Sequence, residues 1–342
     1  MVVVRPVKPA DLESLIALAA GAGAGLTTLP RDPQFLRKRI EISRRSFESP
    51  AEKPSGESYL FAMEDTERGQ VVGACGIVSK VGGFEPFYAY QLRKSLFSSD
   101  VIHVHKEVPI LKLLLEHNGP CEIGSLFLDP AYRGSGNGRF LQLVRFLFMA
   151  EHPERFETTV VSEIRGVLTE DGHSPFWDAL GEHFFDIDFQ QADHLSIVNK
   201  KFIADLMPDH PIYIPILPES AQAVIGKPHP DSARAVKNLE EEGFRFSNMV
   251  DIFDAGPILS CKRDRIRSIR RSRRGAVGSI VAQAPPTQDF MLARVDGEFR
   301  ATKTPLAVKG DGVVVPKPAA EAIGVQSGDP VRFVELYPTR RH

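Results

Sequence analysis

The sequence predicts a mixed α/β (α+β) fold: a mixed sheet flanked by helices, followed by a small β-rich module. Three observations carry this. Strand-like apolar runs and helical spacings both recur through the first 270 residues. Residues 122–150 read as strand, glycine-rich turn and helix. Beyond residue 288 the chain reads as short strands with turn signals. At 342 residues, and with about 150 per domain as a prior, two domains are expected. The boundaries fall at 1–274 for the main domain, 275–288 for a small, Pro-containing linker, and 289–342 for the module.

Val2 to Arg5 is a strand. Pro9 and Asp11 open a helix whose Leu12, Leu15, Ile16 and Ala19 share a face, ended around Gly21, Gly23 and Gly25. A second helix covers about Asp32 to Phe47, with Phe35, Leu36, Arg39 and Ile40 at helical spacing. Tyr59 to Glu64 and Val71 to Lys80 form a hairpin. Residues 82–120 read as an irregular, partly β insertion. On a strand His103 and His105 would share a face, but no third ligand stands nearby, so no metal is expected.

Within residues 122–150, Ile123 to Leu128 is the strand, and Asp129-Pro130 ends it because proline removes a ladder donor. Glycines follow at 134, 136 and 138, and Phe140, Leu141, Val144, Leu147 and Phe148 mark an amphipathic helix. Free N–H groups at a helix start and missing side chains favour an anion, and Arg133 adds charge. The Walker A, dinucleotide-fingerprint and Gly-x-Ser-x-Gly patterns all fail at this loop. The plainer alternative is a glycine-rich surface turn.

Val160 to Val167 is a strand carrying Glu163 and Arg165. Ser174-Pro175 caps a short helix, Phe184 to Phe189 reads as a strand, and Lys200 to Met207 as a helix. Pro211 to Leu217 is extended, Asp231 to Glu242 is a helix ended by Gly243, and Phe246 to Phe253 is a strand. The basic run Lys262 to Arg274 lacks interleaved aromatics for base stacking, so a solvated face or subunit contact is expected there, not nucleic acid. The module has strands at Phe290 to Val295, from Phe299, at Val313 to Val315 and at Val331 to Leu336, with a helix over Pro318 to Ile323.

A hydrophobic content of 42% with 25% charged residues suits a globular chain with a sizeable core. The net charge of −2 supplies no field for nucleic acid or membrane. Neither a signal peptide nor a spanning segment is expected, because charges interrupt every apolar run. Cys75, Cys121 and Cys261 read as reduced thiols of a cytoplasmic protein.

The pattern Arg133-x-x-Gly136-x-Gly138 after a strand resembles the pyrophosphate loop of the GCN5-related N-acetyltransferase superfamily. Several further motifs, in order, resemble bacterial arginine N-succinyltransferases. They are Gly25-Leu-Thr-Thr-Leu-Pro30, Leu126-Phe-Leu-Asp-Pro130, Gly136-Asn-Gly138, Ser174-Pro-Phe-Trp177, His210-Pro-Ile-Tyr213, Val224-Ile-Gly226 with His229-Pro230, and Asp251-Ile-Phe-Asp254. The resemblance covers residues 1–270 closely. It implies succinyl transfer from succinyl-CoA, a co-substrate and not a tightly bound cofactor, to the α-amine of L-arginine in arginine catabolism. It also implies a homo-oligomer or a heteromer with a paralogous subunit. Leu126 and Leu128 would lie at the succinyl-CoA contact, where the backbone binds; the other reading of Leu126 is plain core. Arg133, Gly134, Gly136, Asn137 and Gly138 would hold the pyrophosphate. His229, between two prolines at a helix start, matches the proton donor. Arginine needs a carboxylate and a cation, for which Glu163 and Arg165 stand on one strand face, with Thr27 and Thr28 at the entrance. An ordinary ion pair is the other reading of Glu163 and Arg165. The competing functions are a non-catalytic or ornithine-preferring CoA-binding subunit and, through the basic run, a nucleic-acid-associated acetyltransferase.

Overall fold

The computed structural model describes residues 1–21, 30–83, 85–198 and 200–338. Its strands in chain order are β1 (Val2–Pro6), β2 (Ser58–Asp65), β3 (Gln70–Val78), β4 (Phe87–Ser99), β5 (Val104–Glu116), β6 (Cys121–Leu128), β7 (Thr159–Glu163) and β8 (Ile212–Tyr213). Then come β9 (Arg245–Val250), β10 (Pro257–Lys262), β11 (Arg273–Val281), β12 (Asp289–Arg294), β13 (Arg300–Pro305), β14 (Ala307–Lys309), β15 (Gly312–Pro316) and β16 (Pro330–Glu335). They join in one order, β14-β15-β11-β16-β12-β13-β1-β2-β3-β6-β7-β10-β9-β4-β5-β8. This is the mixed sheet with flanking helices and a β-rich C-terminal region that the sequence predicts.

One joint in that sheet matters most. β6 and β7 run parallel and pair only at Cys121↔Val160 and Glu122↔Val161, so beyond those residues the two strands part. On its other side β6 pairs antiparallel with β3, and the register slips: Gly76 faces Gly124 while Ala74 faces Phe127. Ser125 and Leu126 therefore stand opposite Cys75 alone, a β-bulge, and Ser125 takes a left-handed φ of 53°.

The helix Pro33–Glu48 begins at Asp32, whose carboxylate accepts from the backbone N–H groups of Gln34 and Phe35. Its Leu36 and Ile40 enter the core, and Ser43 Oγ accepts from Leu60 N–H at 2.8 Å. One step round the helix, Phe35 and Arg39 lie four apart and share an adjoining face. The segment after the glycine loop (Asn137–Leu143, then Arg145–Glu151) is not amphipathic in place. It is buried almost all round, and its polar side chains find partners inside. Arg139 Nε donates to the Leu336 carbonyl at 2.8 Å, Gln142 Nε2 to that of Ala235 at 2.9 Å, and Arg145 Nη1 to those of Gly76 and Gly124 at 2.8 and 2.9 Å. Arg145 thus satisfies carbonyls beside the bulge that the ladder leaves open.

Several expectations are corrected. Residues 82–120 are not irregular: β4 and β5 form a hairpin paired from Phe87↔Glu116 to Ser99↔Val104. His103 sits in its turn with φ 49°, so it does not share a strand face with His105. Phe184 to Phe189 is not a strand but the end of one helix (Glu182–Phe185) and the start of another (Phe189–Val198). The strand around Glu163 is shorter than predicted, because the chain leaves the sheet after Glu163. The stretch 275–288 is not all linker: β11 pairs with β16 and β15, and only 282–288 connects. Gly275 is needed there, since a Cβ would come within 2.2 Å of the Asp311 carbonyl. The basic run is partly structural. Arg267 is buried against Glu242 at 2.8 Å, which closes the helix Ala233–Glu242 onto the helix Arg267–Arg271.

Candidate active site

Where β6 and β7 part, a cavity of about 470 Å³ opens. β6 supplies Glu122, Ser125 and Leu126 to its wall. The chain at and after β7 supplies Glu163 and Arg165, and the helix Pro33–Glu48 supplies Phe35 and Arg39. The turn after β9 adds Asp251 and Asp254.

One wall is a closed network. Arg165 donates to Asp193 at 2.9 Å and to Asp254 at 3.2 Å, and its guanidinium lies 5.6 Å from the Phe189 ring centroid. Asp254 also accepts from the N–H groups of Gly166 and Gly256, both at 2.8 Å. This needs two glycines: a Cβ on Gly166 would lie 2.4 Å from the Asp254 carbonyl, and one on Gly256 2.1 Å from that of Ile164. Asp251 caps the same turn, accepting from Phe253 and Asp254 N–H at 2.7 and 3.0 Å. Burial works to lower the Arg165 pKa, and Asp193, Asp254 and Asp251 outweigh it and hold it above its ordinary value. Burial, with Asp254 next, pushes Asp251 up to about 7.

The other groups are not closed off. The carboxylates of Glu122 and Glu163 make no hydrogen bond or ion pair among the described residues. Glu163 is open to the cavity yet enclosed by it. Burial lifts its carboxyl well above the usual range, and Glu122 and Asp251 add to that. Burial likewise raises Glu122, against the pull of Lys200, Arg39 and Arg145. Two carboxylates pushed toward protonation form a site that a cation would stabilise in the charged form.

The loop lies past the far end of β6. Asp129 caps it by accepting from Ala131 N–H at 2.8 Å, and Tyr132 Oη donates to Asp65 at 2.7 Å. Gly134 and Gly136 have φ of 97° and 79°, and Asn137 Nδ2 donates to the Tyr132 carbonyl at 3.0 Å. Arg133 Nε reaches the Leu128 carbonyl at 3.3 Å. The C-terminal strands brace this loop: Lys303 Nζ donates to the Ser135 carbonyl at 2.8 Å, and Tyr337 Oη would lie 2.9 Å from a Cβ at Gly136.

His229 is not among the cavity-lining residues; it sits beside them. Its backbone N–H donates to the Arg165 carbonyl at 2.8 Å, next to the isolated bridge between Gly166 and Pro228. Its Nδ1 accepts from Asp231 N–H at 3.2 Å, which puts the ring proton of the neutral form on Nε2. Leu126 lines the cavity, whereas the Leu128 side chain is core and offers only its backbone. Thr27 and Thr28 lie outside the described residues.

Arg39, Glu122, Lys200, Asp193, Asp251 and Asp254 had no site role in the sequence reading. The spacing of Phe35 and Arg39 beside the core face of their helix was the one available signal for Arg39. Among the described residues no cluster could hold a metal ion, and no helix is long and apolar enough to cross a membrane. The three cysteines are buried and unpaired.

A cleft between parting parallel strands, with a glycine loop at one end and carboxylates within, suits an acyltransferase, an enzyme that moves an acyl group from a thioester to an amine and releases the thiol. The chain belongs to the arginine N-succinyltransferase family. The family model for the arginine N-succinyltransferase beta subunit matches residues 2–268, and that for its C-terminal domain matches residues 273–335. The chain is 42% identical over 341 residues to an arginine N-succinyltransferase of Citrobacter koseri, covering 98% of each chain. It is 41% identical over 346 residues to one from an Enterobacter species, covering 100% of this chain and 99% of the other. The solved structure of arginine/ornithine succinyltransferase subunit AI from Pseudomonas aeruginosa superposes with a TM-score of 0.91 at 35% identity, covering 99% of both chains.

Proposed function

We propose that this enzyme transfers the succinyl group of succinyl-CoA to the α-amine of L-arginine, releasing CoA and N2-succinyl-L-arginine. The observation that carries this reading is the pair of unpaired carboxylates, Glu122 and Glu163, inside the cleft between β6 and β7. They suit the guanidinium of arginine, which forms strong charge-assisted bonds to carboxylates. The names of the relatives support the same substrates.

In this reading the pyrophosphate rests on Arg133 and the backbone of Gly134, Gly136, Asn137 and Gly138. The pantetheine runs back along β6, adding to the strand backbone near Leu126 and Leu128 as a further strand would. The α-amine, once deprotonated, attacks the thioester carbonyl. The C–S bond breaks, and the departing thiolate takes a proton. His229 is the donor for that step as an imidazolium: it gives up the Nε2 proton and returns to the neutral ring whose Nδ1 accepts from Asp231 N–H, while the nitrogen that attacked sheds its extra proton to solvent. Arg165 is held by carboxylates of its own and acts by shaping the acidic wall. Thr27 and Thr28 are assigned to the entrance.

The shorter side chain of L-ornithine also ends in a cation, so the same carboxylates suit it more weakly. The name of the Pseudomonas aeruginosa relative, an arginine/ornithine succinyltransferase subunit, supports including it. The enzyme is further assigned to the cytoplasm, as a homo-oligomer or a heteromer with a paralogous subunit, and divided into a catalytic domain and a C-terminal module to which β11 belongs. The test is thiol release by the purified chain with succinyl-CoA and L-arginine or L-ornithine, with product identified by mass. Release with arginine giving the N2-succinyl product is expected. A folded chain that releases no thiol with arginine contradicts the proposal.

A further inference from the structure

Arg39 is the exception among the arginines that line the cavity. Arg165 is paired with Asp193 and Asp254. Arg145 is spent on the carbonyls of Gly76, Gly124 and Gln142. Arg39 donates from Nη2 to the hydroxyl of Ser125, a neutral partner, and among the described residues no carboxylate comes within ion-pair distance of it. Burial lowers its pKa to about 10, with Glu122 pulling the other way, so it stays charged at neutral pH in a place that penalises the charge. A half-buried cation without a counter-ion still carries a desolvation cost, and a ligand that brings a carboxylate relieves it.

Its position says which part of a ligand that is. Ser125 is the bulged residue of β6, and Leu126 follows it on the cavity wall. An acyl thioester whose pantetheine follows β6 puts its acyl chain beside this bulge. A chain with two methylenes and a terminal carboxylate then presents that carboxylate to Arg39. Lys200 also lines the cavity, but it acts chiefly on Glu122 and Glu163, on the acidic side.

We propose that Arg39, held by Ser125, receives the free carboxylate of the acyl group and so selects a dicarboxylic acyl-CoA over an uncharged one of equal length. This rests on the succinyl-CoA reading above and deepens it. Gly76 belongs to the same subsite. A Cβ there would lie 3.3 Å from Ser125 Oγ and 3.4 Å from Arg39 Nη2, so Gly76→Ala crowds the guanidinium without removing its charge.

The test compares kcat/KM for succinyl-CoA with that for butyryl-CoA, which carries a methyl group in place of the carboxylate, each with L-arginine. The expected result is a loss on the order of 10²-fold for succinyl-CoA in Arg39→Gln, because the carboxylate then lies unpaired in the cleft. Butyryl-CoA should change by less than about threefold. Arg39→Lys and Gly76→Ala should each lower the preference by an intermediate factor. Melting temperature and CoA binding by calorimetry confirm that each variant is folded. An unchanged succinyl-to-butyryl ratio in folded Arg39→Gln, or equal loss on both substrates, overturns the assignment of Arg39 while the succinyl transfer stands. A wild-type enzyme that turns over butyryl-CoA as well as succinyl-CoA overturns the succinyl-CoA reading and this inference with it.

Discussion

Arg165 and Arg39 line one cavity from its two sides, and their surroundings are opposite. Arg165, just past β7, has two carboxylates in contact, and one of them, Asp254, also takes two backbone N–H groups. Arg39, against β6, has a hydroxyl. The same contrast divides the acids: Asp251 and Asp254 are capped by backbone, whereas Glu122 and Glu163 are left facing the cleft. A satisfied buried charge fixes geometry, and an unsatisfied one is held ready for a ligand. Removing the first kind should affect folding. Removing the second kind should affect binding and spare the fold.

Asp254→Ala should have the largest effect. It removes one of the two carboxylates that hold Arg165 and leaves the Gly166 and Gly256 N–H groups without their acceptor in a buried turn, so a loss of about 3 kcal/mol is expected in denaturant unfolding. Activity should fall only in step with the folded fraction. A variant that melts like the wild type would remove the distinction between the two walls.

His229→Ala comes next. It should lower kcat by about 10²–10⁴-fold per folded site and leave CoA binding nearly intact, with little rescue by Gln. Near wild-type turnover in a folded protein would rule out the proton-transfer role. This residue shows what the sequence could and could not reveal. The prolines at 228 and 230 and the helix after His229 were readable, but its bond to the Arg165 carbonyl, 64 residues away in the chain, was not.

Legibility followed locality. The strand, loop and helix of 122–150 form one continuous segment, so spacing and glycines revealed them. The acidic wall was hidden because its members come from segments far apart, with Arg165 meeting Asp254 across 89 positions. Arg39 stands at helical spacing with Phe35, Leu36 and Ile40, but its contact with Ser125 spans 86 positions and no local pattern shows it. The hairpin of β4 and β5 is not legible in the sequence because its outer half has no buried face. Leu96, Phe97, Val101 and Ile102 are exposed there, so no alternation marks the strands.

Glu163→Gln should be milder and of the opposite kind. The KM for L-arginine should rise by about 10–10²-fold, the value for a lost charged hydrogen bond. The KM for succinyl-CoA should hold, and the melting temperature should not fall, because the free enzyme sheds a carboxyl that burial disfavours. A clear drop in melting temperature would move Glu163 to the satisfied class.

The smallest effect is a pH slope. The Asp251 pKa rises from the ordinary 3.8 to about 7 in the folded protein, so above pH 4 the unfolded chain gives up this proton before the folded one does. Stability from this group is therefore greatest at low pH and declines as the pH rises toward 7. Asp251→Asn, which keeps an acceptor for the Phe253 and Asp254 N–H groups, should flatten that decline in melting temperature between about pH 4 and 7. An unchanged slope would show that Asp251 titrates normally.

The most direct measurement is a calorimetric titration of L-arginine into the CoA-bound protein, comparing the wild type with a Glu122→Gln/Glu163→Gln double variant. If the free carboxylates receive the guanidinium, the double variant should lose about 10²-fold or more in arginine affinity. Its Kd for CoA and its melting temperature should match the wild type. Wild-type arginine affinity in a folded double variant would contradict the assignment and place the guanidinium elsewhere.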